Sequence, residues 1–191
     1  RSATEFPNSL IWPSVSRILA EGEAPSDLAA DVVEYLDAWV AQDAPAVDAD
    51  DDGFYDQGGP AIIEAAFQPL VVTVLEPVLG EQAGEVYGER DLDGDSGSSI
   101  VDKDLRTLLG DEVEGPFNLQ YCGGGSAEQC SEDLWDVIDG VAAGLAEQYG
   151  NEDPASWLME GLRVSFEPGL IENTMRATNR PTFQQLIELV P

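Results

Sequence analysis

Asp48-Ala-Asp50-Asp51-Asp52-Gly53-Phe54-Tyr55-Asp56 places carboxylates at positions 1, 3, 5 and 9 of a loop, with glycine at position 6. Calcium takes six to eight oxygens around one point, and alternating side chains on a tightly turned loop supply them. Glycine permits the turn. Position 12 is Gly59 rather than a bidentate Glu, so the run is not a complete EF-hand loop, and Glu64 would have to stand in for the missing ligand. Asp48, Asp50, Asp52 and Asp56 are therefore candidate calcium ligands, against the plainer reading of a solvated acidic turn leading into a helix. A second run, Asp91-Leu-Asp93-Gly-Asp95-Ser96-Gly97, repeats the 1, 3, 5 pattern, with Asp102 at position 12. Serine at its sixth position weakens it, and a solvated loop is the expectation there.

The two cysteines bracket three glycines in Cys122-Gly-Gly-Gly-Ser-Ala-Glu-Gln-Cys130. The glycines make the loop pliable and the pair is close in sequence, which favours a local disulfide over two reduced thiols. Two thiolates without histidine do not fill a zinc site.

Absences narrow the chemistry further. The 191 residues contain no histidine, which excludes Ser-His-Asp and Cys-His catalysis and His-ligated zinc. Asp plus Glu number 38 against 8 Lys plus Arg, a net charge of −30. Nucleic acid and anionic membrane surfaces are unsuited partners for such a chain. No run approaches the ~18 consecutive apolar residues of a membrane span. The N-terminus lacks a signal peptide's apolar core. Apolar residues are nonetheless 43% of the chain, enough for a core. High salt or environmental calcium would accommodate the acidity, and both suit an extracellular or periplasmic protein. From Arg163 onward three arginines face three glutamates, so the closing segment is neutral and reads as buried against protein.

Elements that would position these residues follow from periodicity. Residues 26–42 read as a helix capped by Ser26, with Leu28, Val32, Leu36, Trp39 and Val40 on one stripe. A second helix starts at Pro60 and runs to Gly80, with Pro69 expected to kink or split it. Residues 101–109 form a short helix. Residues 131–149 form the clearest one, with Leu134, Val137, Ile138, Val141, Leu145 and Tyr149 inward. Asp153-Pro154 opens a further short helix. Arg163-Val-Ser-Phe-Glu-Pro alternates like a strand, and residues 183–190 suit strand or helix. The expectation is an α+β fold, predominantly helical, with a few strands near the C-terminus. Residues 1–110 form a helical part with the Asp-rich loops, and 111–191 carry the Cys loop, the long helix and the strands.

The segment Asn173-Thr-Met-Arg-Ala-Thr-Asn-Arg-Pro-Thr-Phe-Gln-Gln185 closely resembles the closing segment of the penicillin acylase family, amidases of the N-terminal-nucleophile hydrolase class. Lys103-Asp-Leu-Arg-Thr-Leu-Leu-Gly110, then Gly115-Pro-Phe with Tyr121-Cys-Gly-Gly-Gly, resemble the stretch before it. Ala38-Trp39 followed by Asp50–Asp56 resembles an earlier one. In family order these strings cover roughly residues 36–189.

The resemblance implies the C-terminal part of a catalytic large (β) subunit. Its partners would be the N-terminal part of that subunit and the small subunit. The parent would hydrolyse the amide of penicillin-type or acyl-homoserine lactone compounds, and this chain would be a piece of the αββα sandwich. Family enzymes act through an N-terminal serine followed by Asn whose own amine is the base. This chain has no Ser-Asn dipeptide, so no catalytic residue is carried over and no organic cofactor is implied. Arg176, Asn179, Arg180 and Gln184 are expected to tie the chain end down. The alternative is a self-standing acidic module that binds calcium or another protein. A glycosidase-like pair such as Asp50 and Asp56 is not singled out from the other acids.

Overall fold

A computed structural model describes residue 6, residues 8–87 and residues 98–161, and the backbone of residues 163–164 and 175–176. Its helical elements in chain order are a short 3-10 turn (Ser9–Ile11), α1 (Trp12–Leu19), α2 (Asp27–Val40), α3 (Gly59–Leu79), α4 (Gln82–Tyr87), α5 (Ser98–Leu108), a 3-10 turn (Cys122–Gly125), α6 (Ala127–Tyr149) and a 3-10 turn at Pro154–Ser156.

The helix α3 is the axis. Ile62, Ile63, Ala66, Phe67, Leu70, Val71, Val74 and Leu75 are buried along it and take up most of its circumference. A helix apolar on most sides must be surrounded rather than laid on a surface, and α6, α2, α4 and α5 pack around it. By length and mean hydropathy, 1.6, this helix is also one that could cross a bilayer. Pro69 and Pro77 do not split it: it runs unbroken as one helix through both. Each proline removes one backbone donor. Both sit on the exposed side of the helix.

The other helices follow their sequence signals with local shifts. In α2 the Ser26 hydroxyl accepts from the Ala29 N–H at 3.1 Å, closing the N-terminus as its residue type demands. The same hydroxyl donates to Asp139 on α6 at 2.5 Å, so the cap also docks one helix on another. The long helix α6 begins at Ala127, four residues before the expected start, because Ser126 rather than Ser131 caps it. Ser131 is instead buried and donates to the Leu19 carbonyl at the end of α1. Trp135 donates to the same carbonyl at 3.0 Å. Gly150, in the left-handed conformation, ends α6 as expected. The short helix expected from Asp153 is a single 3-10 turn.

The α+β expectation fails. The described residues are mainly helical, and their strand content is one two-residue antiparallel pair, Arg163 opposite Arg176 and Val164 opposite Met175. Two residues a side present no face to bury, so among the described residues there is no sheet layer to form half of an αββα sandwich. The large buried side chains of the described core come from helices and the turns between them: Trp12, Leu36, Phe67, Leu70, Leu134 and Trp157. Residues 183–190 lie outside the described residues.

Candidate functional site

The acidic loop is held at its base by the end of α2 and the start of α3. Trp39 lies against Gly59, where no larger residue would fit, because a Cβ there would fall inside the indole ring. Its indole N–H donates to the Pro45 carbonyl at 3.1 Å and to Gln57 Oε1 at 3.0 Å. The Tyr35 hydroxyl accepts from the Gly58 N–H. Asp56 N–H donates to the Val47 carbonyl at 2.8 Å, closing the loop on itself. On the far side, Tyr55 N–H donates to Met159 and Gly161 N–H to Gly53, so the segment after α6 clamps the loop. Tyr55 is buried edge-on against the Phe6 ring.

Within this frame the carboxylates divide. Asp52 accepts from Phe54 N–H at 2.8 Å and serves the turn. Carboxylate oxygens of Asp48, Asp50 and Asp56 lie within 4.8 Å of one another. Oxygens around one calcium at about 2.4 Å can be separated by at most about 4.8 Å, so the spacing of these three allows one shared ion. Asp48 is buried, whereas Asp50 and Asp56 are exposed, so the remaining ligands would be backbone carbonyls or water. Asp56 also accepts from Ala49 N–H, which fixes its carboxylate towards the loop interior. The positive φ of Asp51 (60°) and Gly53 (97°) lets the chain turn tightly enough for this. Of the four candidate ligands the structure brings three together and assigns Asp52 elsewhere. Glu64, on α3, does not join them.

The other sequence candidates fall as follows. Cys122 and Cys130 are disulfide-bonded, with Cα atoms 5.1 Å apart. The run Asp91–Gly97 lies outside the described residues. Asp102, its twelfth position, accepts from Ser14 at 2.7 Å and pairs with Arg106, joining α5 to α1. Arg176 takes part in the two-residue pair through its backbone. Asn179, Arg180 and Gln184 lie outside the described residues.

Sequence reasoning passed over Asp104. It is fully buried, yet both its oxygens are used: Oδ1 accepts from Tyr121 N–H and Oδ2 from Cys122 N–H, each at 2.9 Å. Burial pushes its pKa up, and the two N–H donors pull it part of the way back. The signal was present, since Val101, Asp104, Leu105 and Leu108 share one face of α5, and a carboxylate in an apolar stripe needs a partner. Near the surface, Arg17 forms a two-pronged bond to Asp111 at 2.8 and 2.9 Å, which with help from Arg106 holds that carboxyl down to about 2. The groove between α3 and α6, lined by Thr73, Glu76, Pro77, Asp133, Asp136 and Val137, is open and carries three carboxylates and the Thr73 hydroxyl.

No protein-family model matches the chain, and no curated protein matches it either.

Proposed function

We propose that the chain is a framework segment of an amidase of the penicillin acylase type, supplying packing rather than the nucleophile. The parent would hydrolyse the linear amide of acylated compounds such as penicillins or acyl-homoserine lactones, outside the cytoplasm. One observation supports the reading: two of the family-like strings touch each other. Asp104, from Lys103–Gly110, binds the backbone of Tyr121 and Cys122, from the Cys-Gly-Gly-Gly string. Strings kept together for a structural reason should meet in the fold, and contact between these two supports the reading. Trp39, of the earliest string, packs on Gly59, three residues beyond the Asp50–Asp56 run.

Denaturing and native mass spectrometry on protein from its source is the test. A companion chain beginning Ser-Asn, co-purifying with the 20.5 kDa chain, is the expected result. Amide hydrolysis of phenylacetyl or long-chain acyl substrates should then require both. Hydrolysis by the isolated chain, or a lone folded species from the native source, would overturn the reading.

A second reading rests on the convergence of Asp48, Asp50 and Asp56: a self-standing acidic module that takes up calcium. It predicts a lone species whose melting temperature rises with calcium and falls with EDTA.

A further inference from the structure

Cys122 and Cys130 are both fully buried, although the loop between them is not: Gly124 and Gly125 are exposed. The turn Gly123–Gly125 follows Cys122 directly. Gly123 rests on the backbone of Cys130, and Gly124 N–H donates to the Tyr121 carbonyl. A thiol from solvent can attack a disulfide only when one sulfur is accessible along the bond axis. Both cysteines are fully buried and the Cys122–Gly125 turn packs against α6, α3 and α5, so attack needs a local opening around it. Asp104 on α5 holds the start of this turn, with one oxygen on each of the two N–H groups that lead into the bond. No other residue makes a side-chain bond to either of these two amides among the described residues.

We propose that Asp104 is the latch of a guarded disulfide. Its carboxylate keeps the Tyr121–Cys122 segment closed over Cys122–Cys130, so that a dithiol reductant reaches the bond only after the latch opens. In the reaction one thiolate of the dithiol attacks a cysteine sulfur, the S–S bond breaks, and the other cysteine leaves as a thiolate that takes up a proton. The second thiol of the dithiol then displaces the first cysteine, which is protonated in turn. Two electrons pass to the protein, and the dithiol leaves as its own disulfide. Linkage makes the effect reciprocal: with the bond open, the two N–H groups are no longer fixed, and Asp104 loses its hold on them. A reducing environment would therefore loosen α5 from the segment bonded to α6. This inference is independent of the acylase reading.

The experiment follows reduction of the full chain by dithiothreitol at neutral pH, with alkylation and mass detection of the released thiols. Asp104→Asn, in which an NH₂ replaces one accepting oxygen, should be reduced at least ~10-fold faster than the unaltered chain. Asp111→Asn, which breaks a surface ion pair near α5, should not be accelerated. Gly59→Ala separates a local latch from general destabilisation. Acceleration in that variant equal to that in Asp104→Asn at matched loss of stability overturns the proposal, as do equal rates in Asp104→Asn and the unaltered chain. Should Asp104→Asn not fold, hydrogen exchange on the unaltered chain decides. The Tyr121 and Cys122 amides should exchange at least ~10-fold faster after reduction while those of α2 do not change. Equal protection before and after reduction overturns it.

Discussion

Gly123 and Gly124 sit side by side with nearly the same positive φ, 55° and 59°, but in different surroundings. A Cβ on Gly124 meets open space, whereas one on Gly123 runs into the backbone of Cys130. Alanine at Gly124 should cost only the left-handed backbone penalty, about 1–2 kcal/mol. Alanine at Gly123 should add about 1–3 kcal/mol for the shift forced on a backbone that a disulfide already restrains. Urea unfolding of the two variants checks this, and equal losses would mean that the loop relaxes freely. Ionisation at single residues gives a second contrast. The Asp111 carboxyl is held at about 2, chiefly by its hydrogen bonds from Arg17, against an ordinary value of 3.8. Its contribution to stability is therefore complete above about pH 4 and is lost as the pH falls towards 2. Asp104 works in the opposite sense. Its raised pKa means that the folded protein takes up that proton more readily than the unfolded chain, so this group favours the fold increasingly as the pH falls through the raised value. Stability measured from pH 5 to pH 2 should fall less steeply in Asp111→Asn than in the unaltered chain, and an unchanged slope would dismiss the Arg17 pair as a contributor.

Among the elements, α3 concentrates the energetic risk. Leu70 is fully buried at its centre, and Leu70→Ala should cost about 2–5 kcal/mol, read as a lowered urea midpoint with an unchanged slope. A loss below ~1 kcal/mol would show that the neighbouring helices close the gap. This helix, the caps and the stop signals were legible because each is a local matter: Ser26, Pro60, Gly80 and Gly150 act within a turn of themselves. The disulfide was legible for the same reason, its partners being eight residues apart. What escaped depended on distance. Ser131 and Ser126 both look like caps, and only the Leu19 carbonyl, from a remote helix, draws Ser131 into the core. The alternation after Arg163 suggested strands, but alternation says nothing of whether a neighbour exists to pair with, and the described pairing stops at two residues. Asp52 has the right loop position for a ligand and is drawn off by the Phe54 N–H, a competition that spacing alone does not reveal. Asp104 lay in plain view on an apolar stripe, but its donors come from the far side of a turn.

At the scale of the whole molecule the dominant fact is a charge of −30 on 191 residues. Most of these carboxylates lie on the surface, and with 8 basic residues in the whole chain few have a cation near them. Mutual repulsion opposes the compact state, and it weakens as the Debye length falls from about 30 Å at 0.01 M salt to about 3 Å at 1 M. The melting temperature should therefore climb steadily with sodium chloride over that range, in contrast to the weak response of a chain with balanced charge. Calcium adds a term that screening cannot imitate. An ion bound by Asp48, Asp50 and Asp56 stabilises by mass action, about 2.7 kcal/mol at a concentration 100 times its dissociation constant, and saturates once the site is full. At fixed ionic strength, millimolar calcium should raise the melting temperature of the unaltered chain beyond the level reached in sodium chloride alone. Asp48→Asn and Asp56→Asn should each remove most of that increment and leave the sodium chloride slope intact, because one charge in so many hardly changes the overall repulsion. Asp52→Asn should keep the increment, since that carboxylate serves the turn. If all three variants respond like the unaltered chain, calcium is acting on the acidic surface as a whole, and the convergence of three aspartates in the loop is a consequence of its tight turn rather than a binding site.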